Sequence, residues 1–375
     1  MRMKVRDCFD LNPVGNTNKY SDFINYIDTS SVNAGRLSNV TYLEEVFPSR
    51  AQRLVKRGDI LYSSVRPNLR HYYLYNDNLP HAVASTGFVL LRNKSEYYTK
   101  FAYYYLTTNE IVKHLSNIAE LSQSTFPSFS TKDIGKIDLP QLDKCRQKRI
   151  ASILSVYDDL IEVNNKRIKV LEQMAENLYK EWFVRFRFPG HETAEFENGL
   201  PKGWRIEKLN AIADFQYGKI PLQEHIVDNG YPIFTGYRTS GFYDSYMYEK
   251  PMLLVVARGV GGTGDVKISP PKAFITNLSI VFLLKNPELL MHYLYQLFQL
   301  QNLRYLDSGA AQSQITIEDL QRVRIILPDS HILMKYNNAY LPISNEILLL
   351  EEKNINLIKQ RDLLLPRMMS GKQEV

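Results

Sequence analysis

From Gln147 to Val184 the chain has no proline or glycine, and its side chains recur at alternating steps of four and three: Ile150, Leu154, Tyr157, Ile161, Asn164, Ile168, Leu171, Ala175, Leu178 and Trp182. Such steps keep one face of a helix in line, so the segment predicts a long helix with a coiled-coil seam and one polar layer at Asn164. Advancing by 187 positions gives a second, weaker seam: Asn337, Leu341, Ser344, Leu348, Glu351, Ile355, Ile358, Asp362, Leu365 and Met369. There Glu351 takes the register of Asn164, Pro342 predicts a late helix start, and Pro366 a disturbed last turn. Contact between the two helices is expected at Leu154, Ile161, Ile168, Leu171 and Leu178 on one and at Leu348, Ile355, Ile358 and Leu365 on the other. The competing reading is that each helix covers only its own domain; recurrence of the coiled-coil period favours packing of one helix on the other.

The second seam belongs to a longer self-similarity. Phe129–Ile137 reads like Ile315–Val323, with Asp133 and Asp319 186 positions apart, and each stretch runs on to a leucine–proline step at Leu139–Pro140 and Leu327–Pro328. Lys166, Ile168, Leu171, Gln173 and Leu178 are matched 187 positions later by Lys353, Ile355, Ile358, Gln360 and Leu365. Upstream, Gly87–Leu91 resembles Ile280–Leu284, and an aromatic, helix-like stretch follows each, Phe101–Leu106 and Met291–Leu297. Matches in the same order make the chain two copies of one unit of about 187 residues.

Glycine, proline and charge concentrate between Arg185 and Trp204, which marks a linker. On either side, strand-like apolar runs (Asp59–Ser64, Phe88–Leu91, Met252–Ala257, Ile280–Leu284) alternate with turns and short helices, an α+β pattern. The predicted order is a first α+β domain over 1–143, a long helix over 144–188, a linker over 189–203, a second α+β domain over 204–330 and a second long helix over 331–375.

Composition narrows the class. With 44% hydrophobic and 23% charged residues the 375-residue chain is neither wholly disordered nor fibrous. Its apolar runs fall far short of the roughly 18 residues of a membrane span, and Met1–Asp7 offers no apolar secretion signal. Two cysteines, Cys8 and Cys145, argue for a reducing, cytoplasmic setting and against cysteine-based zinc sites. A net charge of +6 is compatible with a nucleic-acid partner without requiring one. The 25 tyrosines suit either an aromatic core or a surface that meets a partly polar partner.

Catalytic motifs fail on their context. Gly259–Gly264 matches G-x-G-x-x-G after a strand, but Asp265–Pro271 cannot open the helix that a dinucleotide site needs; a glycine turn that approaches a partner's backbone is the better reading. Ser269-Pro270-Pro271-Lys272 has lysine where an amino-methyltransferase loop needs an aromatic ring, and reads as a strand break. Pro328-Asp329 with Glu351 and Lys353 imitates a nuclease, yet Glu351 to Lys353 falls within the helical seam. The seven histidines show no metal-ligand spacing, so no metal site is expected.

What remains is a set of polar and basic side chains at strand ends and turns, the residue types that pair with base edges and phosphates. The first copy offers Tyr62, Ser63, Ser64, Arg66, Arg70 and His71, then Gln123, Ser124 and Thr125. The second offers Tyr237, Arg238, Arg258, Thr263, Asn277, Gln312, Ser313 and Gln314, with Arg258 following a strand equivalent to the one before Arg66. Singly, each could be a solvated loop residue; paired at matching places they point to nucleic acid.

These features together resemble the DNA-specificity (S) subunit of type I restriction-modification systems. The resemblance rests on Gly58–Pro67, the Leu200–Trp204 opening of the second domain, Ile137–Pro140 leading into Gln147–Ile150, and the two heptad helices, and it spans essentially the whole chain. The first domain has no counterpart of the glycine turn, and the usual tryptophan-containing lead-in is missing at the N-terminus. The resemblance implies two α+β target-recognition domains, each followed by a long helix, with the helices packed as an antiparallel coiled coil about a pseudo-two-fold axis. It implies that each domain reads one half of a bipartite site in double-stranded DNA, that the subunit itself is not an enzyme and takes no cofactor, and that the helices dock two methyltransferase (M) subunits carrying S-adenosylmethionine. A restriction (R) subunit could join that assembly. At about 1.5 Å per residue the first helix spans roughly 57 Å, enough to separate domains set over half-sites about 34–36 Å apart. Two other classes stay open on the residues alone: a coiled-coil architectural protein that reads no sequence, and a stand-alone methyltransferase or nuclease. A type II-like restriction-modification specificity subunit is a variant of the first reading.

Overall fold

The computed structural model describes residues 3–14, 22–122, 127–259, 262–307 and 313–369. Two compact units make up the chain, Met1–Asn164 with Glu352–Val375, and Asn165–Glu351. Each unit therefore holds one α+β lobe, the near half of the long helix that follows it, and the far half of the other long helix.

In the first unit an antiparallel sheet has the strand order Phe9–Leu11, Phe88–Asn93, Ile60–Ser63, Tyr72–Leu74. A second sheet runs Thr41–Glu44, Phe23–Ile27, Ala82–Ser85, Ala51–Leu54, with the middle pair parallel. The second unit repeats this plan. Its first sheet is Ala213–Tyr217, Ser279–Leu284, Leu253–Val256, Val266–Ile268. Its second is Ile226–Val227, Thr239–Tyr243, Tyr231–Phe234, Phe274–Ile275, with the last pair parallel. The strands predicted from apolar runs are those covered on both faces: Ile60 and Tyr62 enter one core and Leu61 another, as do Leu253 and Val255 against Leu254. Burial on both sides is why these strands read as continuous apolar runs rather than alternating ones.

The central helix runs Lys144–Tyr179 and ends in a π-helical turn, Lys180–Val184. The C-terminal helix runs Ser330–Met369. It begins well before Pro342 and passes through Pro366, contrary to the late start and disturbed end predicted for it. Both prolines lie on its exposed side, where water can satisfy the carbonyl that each leaves without an amide partner. Its start is held by Ile332, Leu333, Tyr336 and Tyr340, which pack into the second lobe's core.

Within each unit the two helices run antiparallel. In the first, the Asn164 amide donates to Asn354 Oδ1 at 2.9 Å and Arg361 pairs with Asp158 at 2.5 Å. In the second, Arg167 meets Glu346 at 2.8 Å and the rings of Tyr179 and Tyr336 lie 6.3 Å apart. As one number rises the other falls. In the central helix Leu154 and Ile161 are buried and Ile168, Leu171 and Leu178 half-buried. The C-terminal seam is displaced by one residue. Leu348, Ile355 and Ile358 are exposed, and the inward positions are Tyr336, Tyr340, Ile343, Ile347, Leu350, Asn354, Leu357, Arg361, Leu364 and Met368; Leu365, next to one of them, is buried. The slip was invisible because the helix carries apolar runs at Ile347–Leu350 and Leu363–Leu365, where neighbouring registers look alike. Asn354, not Glu351, completes the polar layer.

Many of the tyrosines are core residues: Tyr62, Tyr72, Tyr97, Tyr103, Tyr104, Tyr179, Tyr293, Tyr336 and Tyr340 are all buried. Burial raises their phenol pKa values above the ordinary 10.0. The unfolded chain therefore loses these protons first as pH rises, so stability should be fully present below about pH 10 and decline above it. Denaturant midpoints at pH 8, 10 and 11 check this; a flat profile contradicts it.

Candidate nucleic-acid interface

In the first unit the chain leaves the buried strand Ile60–Ser63 and turns over Pro67–Leu69 before returning as Tyr72–Leu74. Arg66 and Arg70 bracket that turn, both with left-handed backbone (φ 47° and 58°). Non-glycine residues adopt this conformation at a cost, which persists where the surroundings over-determine it. Here the Arg66 amide donates to Pro127 O at 2.9 Å, the Arg70 carbonyl accepts from Ala34 N at 2.8 Å, and Val65 bridges Ser128. Arg66 is exposed, while Ser64, Arg70 and His71 are half-buried beside it. Arg70 Nη2 donates to Asn109 Oδ1 at 2.5 Å, and His71 Nδ1 contacts Val32 O.

Tyr62 and Ser63 belong to the interior instead. Tyr62 is 1% exposed and its hydroxyl donates to Leu106 O, and Ser63 is 2% exposed with its hydroxyl on Val65 O. A strand enclosed on both faces cannot present side chains to a groove. Gln123, Ser124, Thr125 and Gln312 lie outside the described residues.

In the second unit three segments converge. The tip of the Tyr231–Tyr243 hairpin, turned by a Thr235–Arg238 backbone bond of 3.1 Å, exposes Tyr237 and Arg238. The glycine turn after Leu253–Val256 carries Arg258, whose guanidinium lies 5.9 Å from the Tyr217 ring centroid. The third segment, Asn302–Asp307, holds Ser313 and Gln314 through the Asp307 carboxylate. Arg258 bridges Gln314, as Val65 bridges Ser128 in the first unit, so both loops are pinned by the segment that precedes a capped short helix, Thr131–Gly135 or Ile317–Arg322. Asp265 ties the three segments together: it accepts from Tyr237 Oη at 3.2 Å and from Asn302 Nδ2 at 2.7 Å. Desolvation, and then the Asp265 carboxylate, push the Tyr237 phenol up to about 12. Lys267 Nζ stands 5.8 Å from the same ring.

Two glycines of the turn lie close against this chain's own residues. A Cβ on Gly264 would lie 2.3 Å from Arg304 N, and one on Gly262 would overlap the Tyr237 hydroxyl. Thr263 is buried and satisfied by Gly259 O at 3.1 Å, which removes it from the surface set. Asn277 is half-buried in the turn before Ser279–Leu284, where its backbone N–H donates to Lys219 O. Sequence reasoning missed Asn109, Asp265, Lys267 and Asn302. Only the recurrence of an asparagine just past each aromatic helix could have signalled two of them.

Among the described residues no group of three His, Cys, Asp or Glu side chains could hold a metal ion, and no helix is long and apolar enough to cross a membrane. Cys8 and Cys145 are free thiols. The sequence profile of the type I restriction modification DNA specificity domain matches residues 1–173 and again 201–359. The chain belongs to this type I DNA-specificity family. The HindI specificity subunit of Haemophilus influenzae is 24% identical over 95% of this chain and 96% of its own length. The MjaIX specificity subunit of Methanocaldococcus jannaschii is 25% identical over 90% and 82%. The crystal structure of a type I S subunit from M. genitalium shares the fold, with a TM-score of 0.59 at 16% identity over 98% of this chain and 95% of that one. As a type I specificity subunit, the chain is a DNA target-recognition protein, and the purely architectural reading is not favoured.

Proposed function

We propose that each unit reads one half of a bipartite site in double-stranded DNA, through Arg66, Arg70 and their neighbours in the first and through Tyr237, Arg238 and Arg258 in the second. The observation that carries this is the recurrence of one loop, pinned by one kind of bridge, at the same edge of equivalent sheets in a chain of the DNA-specificity family. The loops share no sequence, so the half-sites differ. The subunit performs no covalent chemistry and takes no cofactor; S-adenosylmethionine is bound by methyltransferase subunits, two per assembly, in the cytoplasm, and a restriction subunit can join them. Docking of those subunits falls to the long helices. Val156, Leu160, Val163, Val170 and Met174 recur at heptad steps on the exposed side of the central helix, and Met334, Leu341, Leu348 and Ile355 stand seven apart on the C-terminal one. Outward apolar stripes of that period suit partner helices.

Sequencing methylated bases in DNA from cells that express the chain with its methyltransferase tests the reading. The expected result is a bipartite motif that requires both proteins; methylation without a motif, or with the methyltransferase alone, contradicts it. Arg66→Ala and Arg258→Ala should each weaken recognition of one half-site only, by about 10- to 100-fold for a lost base or phosphate contact of roughly 1–3 kcal/mol. Equal loss at both halves would contradict one unit per half-site.

A further inference from the structure

Each unit closes its recognition loop on an asparagine just past the aromatic helix, and the two do so with opposite chemistry. In the first unit the loop between Ile60–Ser63 and Tyr72–Leu74 reaches Arg70, whose guanidinium donates to Oδ1 of Asn109 at 2.5 Å, shortly after the helix Thr99–Leu106. In the second, the loop between Leu253–Val256 and Val266–Ile268 reaches Asp265, which accepts from Nδ2 of Asn302 at 2.7 Å, shortly after the helix Pro287–Leu300. Because Asp265 also accepts from Tyr237, Asn302 acts on the hairpin tip as well.

The flanking strands hold the same two places in equivalent sheets. The loops between them differ in sequence and backbone: one turns on left-handed Arg66 and Arg70, the other on Gly259 and Gly264. A tie that recurs at one place with donor and acceptor exchanged answers a need common to both loops. A loop that discriminates bases must offer its side chains in one pose, since a donor displaced by an ångström no longer matches the groove's pattern. We propose that Asn109 and Asn302 are positioning residues that set the pose of the recognition loop in each unit, and with it the base discrimination of each half-site; the inference rests on the half-site reading above.

The exchanged chemistry supplies the test. Asn109→Asp keeps an acceptor for Arg70. Asn302→Asp keeps the acceptor that caps the turn Leu303–Leu306 through Arg304 N at 2.7 Å, but sets a carboxylate against Asp265. Full-length variants are co-expressed with the methyltransferase and the methylated sites sequenced. Asn109→Ala and Asn302→Ala should each relax discrimination about tenfold, in different halves of the motif, as the loss of one base pair's selectivity does. Asn109→Asp should hold the wild-type motif, whereas Asn302→Asp should be as relaxed as Asn302→Ala. The proposal is overturned if both halves relax together, if no variant alters a bipartite wild-type motif, or if Asn302→Asp behaves as wild type, which would leave the capping bond as its whole role. A wild-type chain without a bipartite motif removes the half-site reading and this inference with it; a bipartite motif that the variants leave unmoved removes this inference alone.

Discussion

Replacing Tyr179 with alanine should destabilise the second unit by about 3–5 kcal/mol, the range for deleting a large buried aromatic. Tyr179 lies on the helix that follows the first lobe, yet it is 3% exposed in the second unit's core. Its ring centroid stands 5.1 Å from that of Phe183, 5.6 Å from Tyr293 and 6.3 Å from Tyr336. No smaller side chain fills that space, and three rings lose a common neighbour. Hydrogen exchange reads the effect by unit: amides in Leu253–Val256 should lose protection while those in Ile60–Ser63 keep theirs. Equal loss in both strands, or none in either, would show that the central helix does not lend its far half to the second unit.

Arg361→Ala should cost the first unit about 2–3 kcal/mol, at or below the roughly 3–5 kcal/mol for breaking a fully buried ion pair, because both partners keep some contact with water. The Arg361 side chain is 22% exposed and that of Asp158 35%. Asp158 would keep its hydrogen bond from the Tyr104 hydroxyl, 2.5 Å away, and the more distant charge of Arg36. Arg361 is pulled between desolvation, which lowers its pKa, and the stronger combined pull of Asp158 and Asp362, which raises it, so the guanidinium stays charged at any working pH. Exchanging both partners for leucine should recover part of the loss, since it removes the stranded Asp158 carboxylate, while Asp362 still loses its guanidinium partner. Urea midpoints of the single and double variants distinguish the cases; a double variant as unstable as Arg361→Ala would mean that shape, not charge, sets the cost.

The repeat, the two helices, the covered strands and the family were legible because each is written in local pattern or in order along the chain. Strand order was not, since Phe9–Leu11 pairs with Phe88–Asn93 across a separation that no period encodes. The C-terminal register slipped by one where Ile347–Leu350 offers four apolar neighbours, and only Asn354 opposite Asn164 decides between them. At the interface, residue type found Arg66, Arg238 and Arg258 on the surface but admitted Tyr62, Ser63 and Thr263, whose hydroxyls are spent inside. Asn109, Asp265 and Asn302 escaped because a side chain that positions another carries no signature until its neighbour is known.

The sharing of helix halves has a consequence for synthesis. Ile150 and Leu154 enter the same core as Leu365 and Met368, roughly two hundred positions later in the chain. At about 5–20 residues per second a ribosome needs on the order of 10–40 s to cover that distance. Throughout that interval the nascent first lobe stands with an apolar flank uncovered, a natural place for a chaperone to hold on.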